Sequence, residues 1–221
     1  MLRARACDDI VSDAGRVNTV GAGEARMIAD NHFDGDYYER YYLRSETAVI
    51  TREMQRNEVA FVIAFCKHIE LDIRRFCDVG AGTGWWAREF SKQYRSCPVV
   101  ETIDSSAVAS SMYGHRNLSL QQLKGPRADL VVCRDVLRYI PNSEIVTAMN
   151  RLTDKCRGVL YLQVMTSDDE IDEEASDMEG WFRTVTWYRR ALKLLGFRDC
   201  GMGLFVSPRL KSFDPFALET R

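Results

Sequence analysis

The apolar residues of this chain fall into two patterns that alternate along most of its length. Short continuous apolar runs predict strands that are buried on both faces. Stretches in which apolar residues recur every three or four positions predict helices with one face on a core. The predicted strands, which begin at Arg75, cover 76–79, 98–104, 118–123, 128–133, 158–165, 197–206 and 215–219. The predicted helices cover 45–71, 85–94, 144–152 and 187–195, with one more after Ser105 and Ser106.

This alternation predicts an α/β domain with about seven strands. The last two strands, 197–206 and 215–219, are expected to pair as an antiparallel hairpin that turns at 207–209. No internal repeat or low-complexity linker divides the chain, so a single domain is expected.

Three glycines separate the first predicted strand from the helix that follows it: Gly80, Gly82 and Gly84. Glycine turns without a Cβ penalty and lets a ligand approach the main chain closely. The free N–H groups at the start of the next helix point back at such a ligand. Asp78 ends the strand just before the turn. This layout predicts a site for a nucleoside-like molecule.

The glycine spacing distinguishes between two kinds of nucleoside site. A dinucleotide fingerprint needs a third glycine, which would fall at Trp85 in one register and at Ala87 in the other. Alanine is tolerated there, so a nicotinamide-dependent oxidoreductase stays open as an alternative. The pattern acid-x-G-x-G-x-G, from Asp78 to Gly84, resembles the first motif of class I S-adenosylmethionine-dependent methyltransferases. The resemblance runs from about residue 76 to the C-terminus.

The resemblance implies a Rossmann-like class I methyltransferase fold, with a seven-stranded, mostly parallel sheet and helices on both faces. Asp104 lies 20 positions after Gly84 at the end of the second predicted strand, where an acid is expected to bind the ribose hydroxyls. Glu101 is the rival acid but lies too early in the strand. A plain helix cap is the alternative role for Asp104.

Two further segments are expected to line the cofactor. The family usually has an acid near 118–123 for the adenine amino group, whereas this chain has Gln121 and Gln122. The run 128–141 resembles the fourth motif, and Arg134 and Asp135 at its strand end either pair with each other or line the methionine end of the cofactor. The expected cofactor-binding residues are Asp78, Gly80, Ala81, Gly82, Gly84, Asp104, Ser105, Gln122, Leu123, Arg134 and Asp135.

The acceptor side is expected to be aromatic. Many relatives carry a histidine where this chain has Tyr139, so no general base is assigned. Tyr37 and Tyr41 stack at i,i+4 if helical, either as an aromatic staple or as part of a cap over the site. The acidic run 168–179 is either a solvated segment or a lid that attracts an amine. The expected substrate-binding residues are Tyr37, Tyr41, Tyr139, Trp181 and Arg183.

The composition narrows the class of protein. The chain has 221 residues, 46% of them apolar, and its net charge of −2 gives no electrostatic footprint for nucleic acid. No apolar run approaches the roughly 20 residues of a membrane span. Seven scattered cysteines without a C-x-x-C motif predict reduced thiols in a cytoplasmic protein. His32, His68 and His115 are far apart and none is spaced with a cysteine pair, so no metal site is predicted.

The resemblance therefore implies an S-adenosylmethionine-dependent methyltransferase (EC 2.1.1) that forms S-adenosylhomocysteine and methylates a nitrogen or oxygen of a small molecule. A positioned sulfonium requires no dedicated base. Residues 1–30 are expected to be a mobile N-terminal segment, and 31–221 a single domain with an N-terminal helical cap at 31–71. A non-enzymatic partner subunit of the same fold is the second alternative.

Overall fold

A computed structural model describes residues 32–40, 52–172 and 176–211. Its helices are α1 (Gly35–Tyr38), α2 (Arg52–His68), α3 (Trp85–Gln93), α4 (Ala107–Tyr113), α5 (Ile145–Lys155) and α6 (Val185–Leu194). Its strands are β1 (Arg75–Val79), β2 (Val99–Asp104), β3 (Arg116–Asn117), β4 (Ala128–Arg134), β5 (Cys156–Gln163), β6 (Arg198–Asp199) and β7 (Leu204–Val206).

The strands form one sheet in the order β3-β2-β1-β4-β5-β7-β6. The first five are parallel, whereas β7 pairs antiparallel with both β5 and β6. The predicted seven-stranded, mostly parallel sheet with an antiparallel end is confirmed. Chain order reverses between β1 and β4, and in open α/β sheets a ligand crevice forms at the carboxyl ends of the strands at such a point.

The apolar faces of the helices explain why the sheet is covered on both sides. On one face, α2 buries Val59, Val62, Ile63 and Cys66, the stripe that the sequence indicated. This cluster also contains the stacked rings of Phe76, Trp86 and Phe90. A second cluster, built around α5 and α6, covers the other face. β1 and β4 are buried between the two clusters, so their carboxyl ends are held rigidly.

The third strand is shorter and earlier than predicted. The prediction placed it at 118–123, but β3 is Arg116–Asn117 and a 3₁₀ turn follows at Leu120–Gln122. The side chain of Gln122 accepts from the Ser119 N–H at 3.2 Å, which closes this turn. Leu120 and Leu123 are three positions apart and both buried, and in a 3₁₀ turn, with three residues per turn, such positions lie on the same side.

The closing hairpin also differs from its prediction. Residues 197–206 do not form one strand, because β6 and β7 are both within this range and pair with each other. The connecting turn contains Gly201, Met202 and Gly203, all with positive φ. Asp199 stabilises it by accepting from the Gly201 N–H at 2.8 Å. The predicted partner strand, 215–219, lies outside the described residues. No helix in the described ranges is both long and apolar enough to span a bilayer.

Candidate active site

The glycine turn follows β1 and is fixed by β2. Its three glycines have φ values of +72° (Gly80), +55° (Gly82) and +69° (Gly84), in the region that residues with a Cβ rarely adopt. The N–H groups of Gly80 and Ala81 donate to the carbonyl of Ile103 at 2.8 and 3.0 Å. A Cβ on Gly80 would lie 2.1 Å from Cγ2 of Val136. Both the backbone conformation and the close packing therefore require glycine here.

Asp78 carries an unused acceptor at the base of this turn. Its side chain is 3% exposed, and no group among the described residues hydrogen-bonds to its Oδ2. Burial raises the pKa of Asp78 from 3.8 to about 7, although the charge of Arg134 opposes the shift. An unpartnered buried acceptor is costly in a folded protein. The group is therefore suited to a ligand that supplies a donor, such as an ammonium.

Asp104 connects the end of β2 with the turn. Its Oδ2 accepts from the Gly82 N–H at 2.7 Å and its Oδ1 from the Ser106 N–H at 2.8 Å. Burial raises the pKa of Asp104, and these two bonds oppose that shift. Ser106, not the exposed Ser105, caps α4 by accepting from Ala109. Each carboxylate oxygen has two lone pairs, so Asp104 can bridge the turn and still accept from a hydroxyl.

The rival acid has another role. The carboxylate of Glu101 pairs with the buried Lys155 at 2.7 Å and with Arg116. These partners hold Glu101 in the middle of β2, away from the carboxyl end of the strand where Asp104 meets the glycine turn.

His115 hydrogen-bonds to the glycine turn, although it was not among the predicted site residues. Its Nε2 is 2.9 Å from the carbonyl oxygen of Gly82, and its Nδ1 is 2.9 Å from the hydroxyl of Thr102. A carbonyl only accepts, so Nε2 carries the proton. Nothing in the local sequence indicates this contact, because the packing of β2 and the chain after α4 brings the two segments together.

Arg134 and Asp135 do not pair with each other, which corrects one of the two predicted alternatives. Arg134 pairs with Glu58 of α2 at 2.8 Å and donates to Gln163 at 3.1 Å. Asp135, at a positive φ of 51°, pairs with Arg138 at 2.8 Å. The residues flank the end of β4 but face different partners. Contacts of Arg134 and Asp135 with a cofactor stay predictions.

The two residues predicted beside the adenine ring have structural contacts of their own. Gln122 is exposed and its side-chain oxygen closes the 3₁₀ turn after β3. Leu123 is buried in the core cluster around α5. Their contact with adenine stays a prediction.

Four side chains meet in the region where the acceptor is predicted to bind. The hydroxyls of Tyr37 and Tyr139 are 3.0 Å apart, and that of Tyr139 donates to Oδ2 of Asp177 at 2.7 Å. Nε2 of His32 lies 2.8 Å from the same carboxylate oxygen. We call these residues the acceptor-side cluster: His32, Tyr37, Tyr139 and Asp177. The sequence identified the two tyrosines as site residues but not His32 or Asp177.

The charges in this cluster are well defined. Burial raises the pKa of Tyr139, so its phenol stays protonated. Burial alone would raise the pKa of Asp177, but hydrogen bonds from the Glu179 N–H, Tyr139 and His32 outweigh it and the pKa is lowered. Asp177 is therefore a carboxylate, although it is only 7% exposed.

Arg138 fixes the segment that carries Asp177. Its buried guanidinium donates to the carbonyls of Asp177 at 2.7 Å and of Glu179 at 2.6 Å. It also lies 4.1 Å from the ring centroid of Tyr139 and pairs with Asp135. The acidic run therefore has two environments: Asp177 is buried, whereas residues 168–170 are exposed.

The other two predicted acceptor-side residues are held by backbone contacts. The N–H of the half-buried Trp181 donates to the Arg138 carbonyl at 2.7 Å. Arg183 is buried, and its guanidinium donates to the carbonyls of Leu137 and Ile140 at 3.0 and 2.7 Å and to Asn142. Arg183 therefore holds the loop after β4 in place.

Residues 32–40 contact the end of β2, the glycine turn and the acceptor-side cluster. The carbonyl of Phe33 accepts from the Ser106 hydroxyl at 2.8 Å, next to Asp104. Cε1 of Tyr38 lies 3.7 Å from the Cβ position of Gly82, and the neighbouring Tyr37 belongs to the acceptor-side cluster. Tyr41 lies outside the described residues. In the described ranges, no three His, Cys, Asp or Glu side chains are arranged to hold a metal ion.

Comparisons with known proteins agree with this architecture. A family profile described as a methyltransferase domain matches residues 36–196. Among solved structures, the chain is similar to magnesium protoporphyrin IX methyltransferase (ChlM) from Synechocystis PCC 6803 with bound SAM. The identity is 17%, 86% of this chain and 100% of that chain are covered, and the TM-score is 0.58.

A second similar structure is DesVI from Streptomyces venezuelae, with 13% identity, 77% and 96% of the two chains covered, and a TM-score of 0.56. At these identities the likeness concerns the fold. No match was found among curated proteins.

Proposed function

Because this chain belongs to the class I S-adenosylmethionine-dependent methyltransferase family, we propose that it binds S-adenosylmethionine and methylates a nitrogen or oxygen atom of a small molecule. S-adenosylhomocysteine is the second product. The observation that carries the proposal is the glycine turn with a carboxyl group on either side, Asp78 below it and Asp104 at the next strand end. The similar ChlM structure contains bound SAM, which supports the same assignment.

Each part of the turn suits a different part of the cofactor. The unpartnered Oδ2 of Asp78 can accept from the ammonium of the methionine moiety. Asp104 has acceptor capacity left for the ribose hydroxyls. Gly82 presents bare backbone, with no Cβ between the chain and the ligand. Ser105, Gln122 and Leu123 complete the adenosine side, and Arg134 and Asp135 the methionine side. When bound, S-adenosylmethionine supplies a methyl group on a positively charged sulfur.

The chain's own residues exclude water and orient the acceptor. Residues 32–40 form a cap that contacts the glycine turn through Tyr38 and the acceptor-side cluster through Tyr37. Tyr139 is fixed between Asp177 and Arg138, so its phenol can orient a substrate. Excluding water and fixing the approach direction contribute to catalysis because the reacting atoms are then held close together.

The family and the chemistry of the chain support a small-molecule acceptor and a cytoplasmic location. The described cysteines, six in all, are free thiols, which suits a reducing compartment. The net charge of −2 gives no overall attraction to a nucleic-acid substrate.

Calorimetry tests the proposal with three probes: S-adenosylhomocysteine, S-adenosylmethionine and NADH. We expect the first two to bind and NADH not to bind. Asp104→Ala is expected to weaken the binding of S-adenosylhomocysteine by roughly 1–3 kcal/mol, because the ribose hydroxyls lose a buried acceptor. Glu101→Ala, the rival acid, serves as the control and leaves the affinity unchanged.

Two calorimetric results would refute the proposed function. Binding of NADH alone would point to an oxidoreductase. No binding of any probe would favour a non-enzymatic subunit with the same fold. An unchanged affinity in Asp104→Ala would remove Asp104 from the site.

A further inference from the structure

The acceptor-side cluster contains a histidine whose tautomer is fixed by its partner. Nε2 of His32 lies 2.8 Å from Oδ2 of Asp177. Asp177 is a carboxylate and can only accept, and the Tyr139 hydroxyl donates to the same oxygen at 2.7 Å. Nε2 must therefore carry a proton. In the neutral ring, Nδ1 is then the nitrogen with a free lone pair.

The surroundings of this imidazole suit proton transfer to an aromatic acceptor. The ring of His32 packs edge-on against Phe33 at 4.8 Å and lies 5.2 Å from Tyr37 and 5.9 Å from Tyr139, centroid to centroid. Tyr38, at the end of the α1 helix that follows His32, has its Cε1 3.7 Å from the position that a Cβ on Gly82 would take. In the described part of the chain, no group hydrogen-bonds to Nδ1.

The arrangement of a base held by a carboxylate is the one that general-base catalysis uses. A positioned carboxylate fixes the orientation of the imidazole and stabilises the imidazolium that forms when the ring takes up a proton. Arg138 donates to the carbonyls of Asp177 and Glu179, which holds the segment that carries this carboxylate in place. Asp177 is in this reading a positioning residue, and His32 the group that contacts the acceptor.

We propose that His32 is the general base of an O-methyltransferase, taking the proton of a phenolic hydroxyl on its Nδ1. This inference rests on the proposed function and adds the acceptor class to it. The acceptor oxygen forms the new bond to the methyl carbon while the carbon–sulfur bond breaks, and that electron pair stays on sulfur. The hydroxyl proton moves to Nδ1 of His32 and later leaves to solvent.

The choice of a hydroxyl over an amine follows from where a base is needed. A neutral amine attacks with its lone pair and loses a proton afterwards, so a base adds little to the transfer step. A phenol is a weak nucleophile until its proton departs, so a base at the hydroxyl lowers the barrier directly. The aromatic rings around His32 are also suited to a flat, apolar acceptor.

The first test needs no acceptor. Nitrogen-15 NMR of the imidazoles in the full chain at pH 8, assigned by comparison with His32→Gln, is expected to show His32 protonated on Nε2 with Nδ1 bare. Asp177→Ala should change the His32 signals and leave those of His68, which is exposed on α2, in place. Protonation of His32 on Nδ1 in the intact protein would overturn the proposal.

The second test uses acceptors of graded acidity. Methyl transfer from labelled S-adenosylmethionine is measured to phenol, to 4-nitrophenol, which is largely ionised at pH 8, and to benzylamine. We expect His32→Gln to lose about 100-fold or more in kcat/KM with phenol, and at most a few-fold with 4-nitrophenol, which needs no base. Added imidazole should restore part of the phenol rate in His32→Ala. His68→Gln is the matched control and keeps wild-type rates.

The outcomes separate this inference from the function on which it rests. Calorimetry shows first whether the wild type and His32→Gln bind S-adenosylhomocysteine equally, which also reports that the variant is folded. An equal loss with both phenols would assign His32 to packing and overturn the proposal. Wild-type methylation of benzylamine only, or of no probe despite normal S-adenosylhomocysteine binding, would overturn it while the cofactor site stands. Absence of cofactor binding would instead refute the proposed function.

Discussion

Replacing Asp78 with asparagine is expected to stabilise the unliganded protein at pH 8 while weakening its binding of S-adenosylhomocysteine. Burial raises the pKa of this carboxyl from 3.8 to about 7. The difference of about three units corresponds to a cost on the order of 4 kcal/mol for keeping the group ionised in the folded protein. Asparagine removes that charge. Its amide leaves one buried group unpaired at a cost of about 1–3 kcal/mol, so a net gain of about 1–3 kcal/mol remains.

The direction of the pH dependence follows from the same shift. Between about pH 4 and pH 7 the folded protein keeps a proton on Asp78 that the unfolded chain has released. The contribution of Asp78 to stability is therefore fully favourable below this window and falls as the pH rises through it. The variant has no such group, so its advantage over the wild type appears at pH 8 and disappears at pH 4.

Urea denaturation at pH 4 and pH 8, with calorimetry of S-adenosylhomocysteine binding, measures both effects. Asp129→Asn is the matched control, because this buried carboxyl at the opposite end of the sheet is fully partnered. It accepts from the N–H groups of Arg74 and Arg75 at 2.9 Å each and pairs with Arg157 at 2.6 Å. The control should be less stable than the wild type at both pH values and bind with unchanged affinity.

The reasoning would be refuted by an Asp78→Asn protein that is destabilised equally at both pH values, since Oδ2 of Asp78 would then have a partner in the folded protein. Undiminished affinity for S-adenosylhomocysteine in this variant would show that Asp78 makes no contact with the ligand.

Two further variants probe the packing behind the site, each measured by urea denaturation. Gly80→Ala should cost about 2–4 kcal/mol, because its Cβ would lie 2.1 Å from Val136 at a positive φ, whereas Gly114→Ala, at φ +76° with open space around it, should cost only about 1 kcal/mol. Arg138→Met should cost about 3–5 kcal/mol by leaving buried acceptors unpaired, against about 1 kcal/mol or less for the half-exposed Arg157→Met. Equal costs within either pair would contradict the assigned contacts.

The fold and the glycine turn were accessible from local sequence signals, whereas the contacts with the cofactor stay predictions. Apolar runs and helical stripes located most strands and helices, because burial of a whole strand or of one helix face leaves a pattern in consecutive residues. Glycine spacing located the turn after β1, since positive φ at three positions within five residues selects for glycine. Asp104 followed from its place at the next strand end.

Short elements were predicted less well, and for a specific reason. Leu118 and Leu120 alternate as in a strand, whereas Leu120 and Leu123 have the three-residue spacing of a 3₁₀ turn, so this short segment fits both patterns. The hairpin of β6 and β7 forms from strands of two and three residues. Runs this short carry no period, and the turn at Gly201 to Gly203 decides the pairing.

The chemistry of the acceptor side was decided by tertiary structure alone. His32 and Asp177 are 145 positions apart, and Tyr37 and Tyr139 are 102 apart. Their meeting depends on how the N-terminal segment packs across the ends of β1 and β4, which no local pattern encodes. The sequence by itself determined the glycine turn and the carboxylate at the next strand end, because both leave a signal in nearby residues. The structure decided which side chains hydrogen-bond to one another in the acceptor-side cluster, because hydrogen bonds across the chain follow from the packed fold and not from spacing.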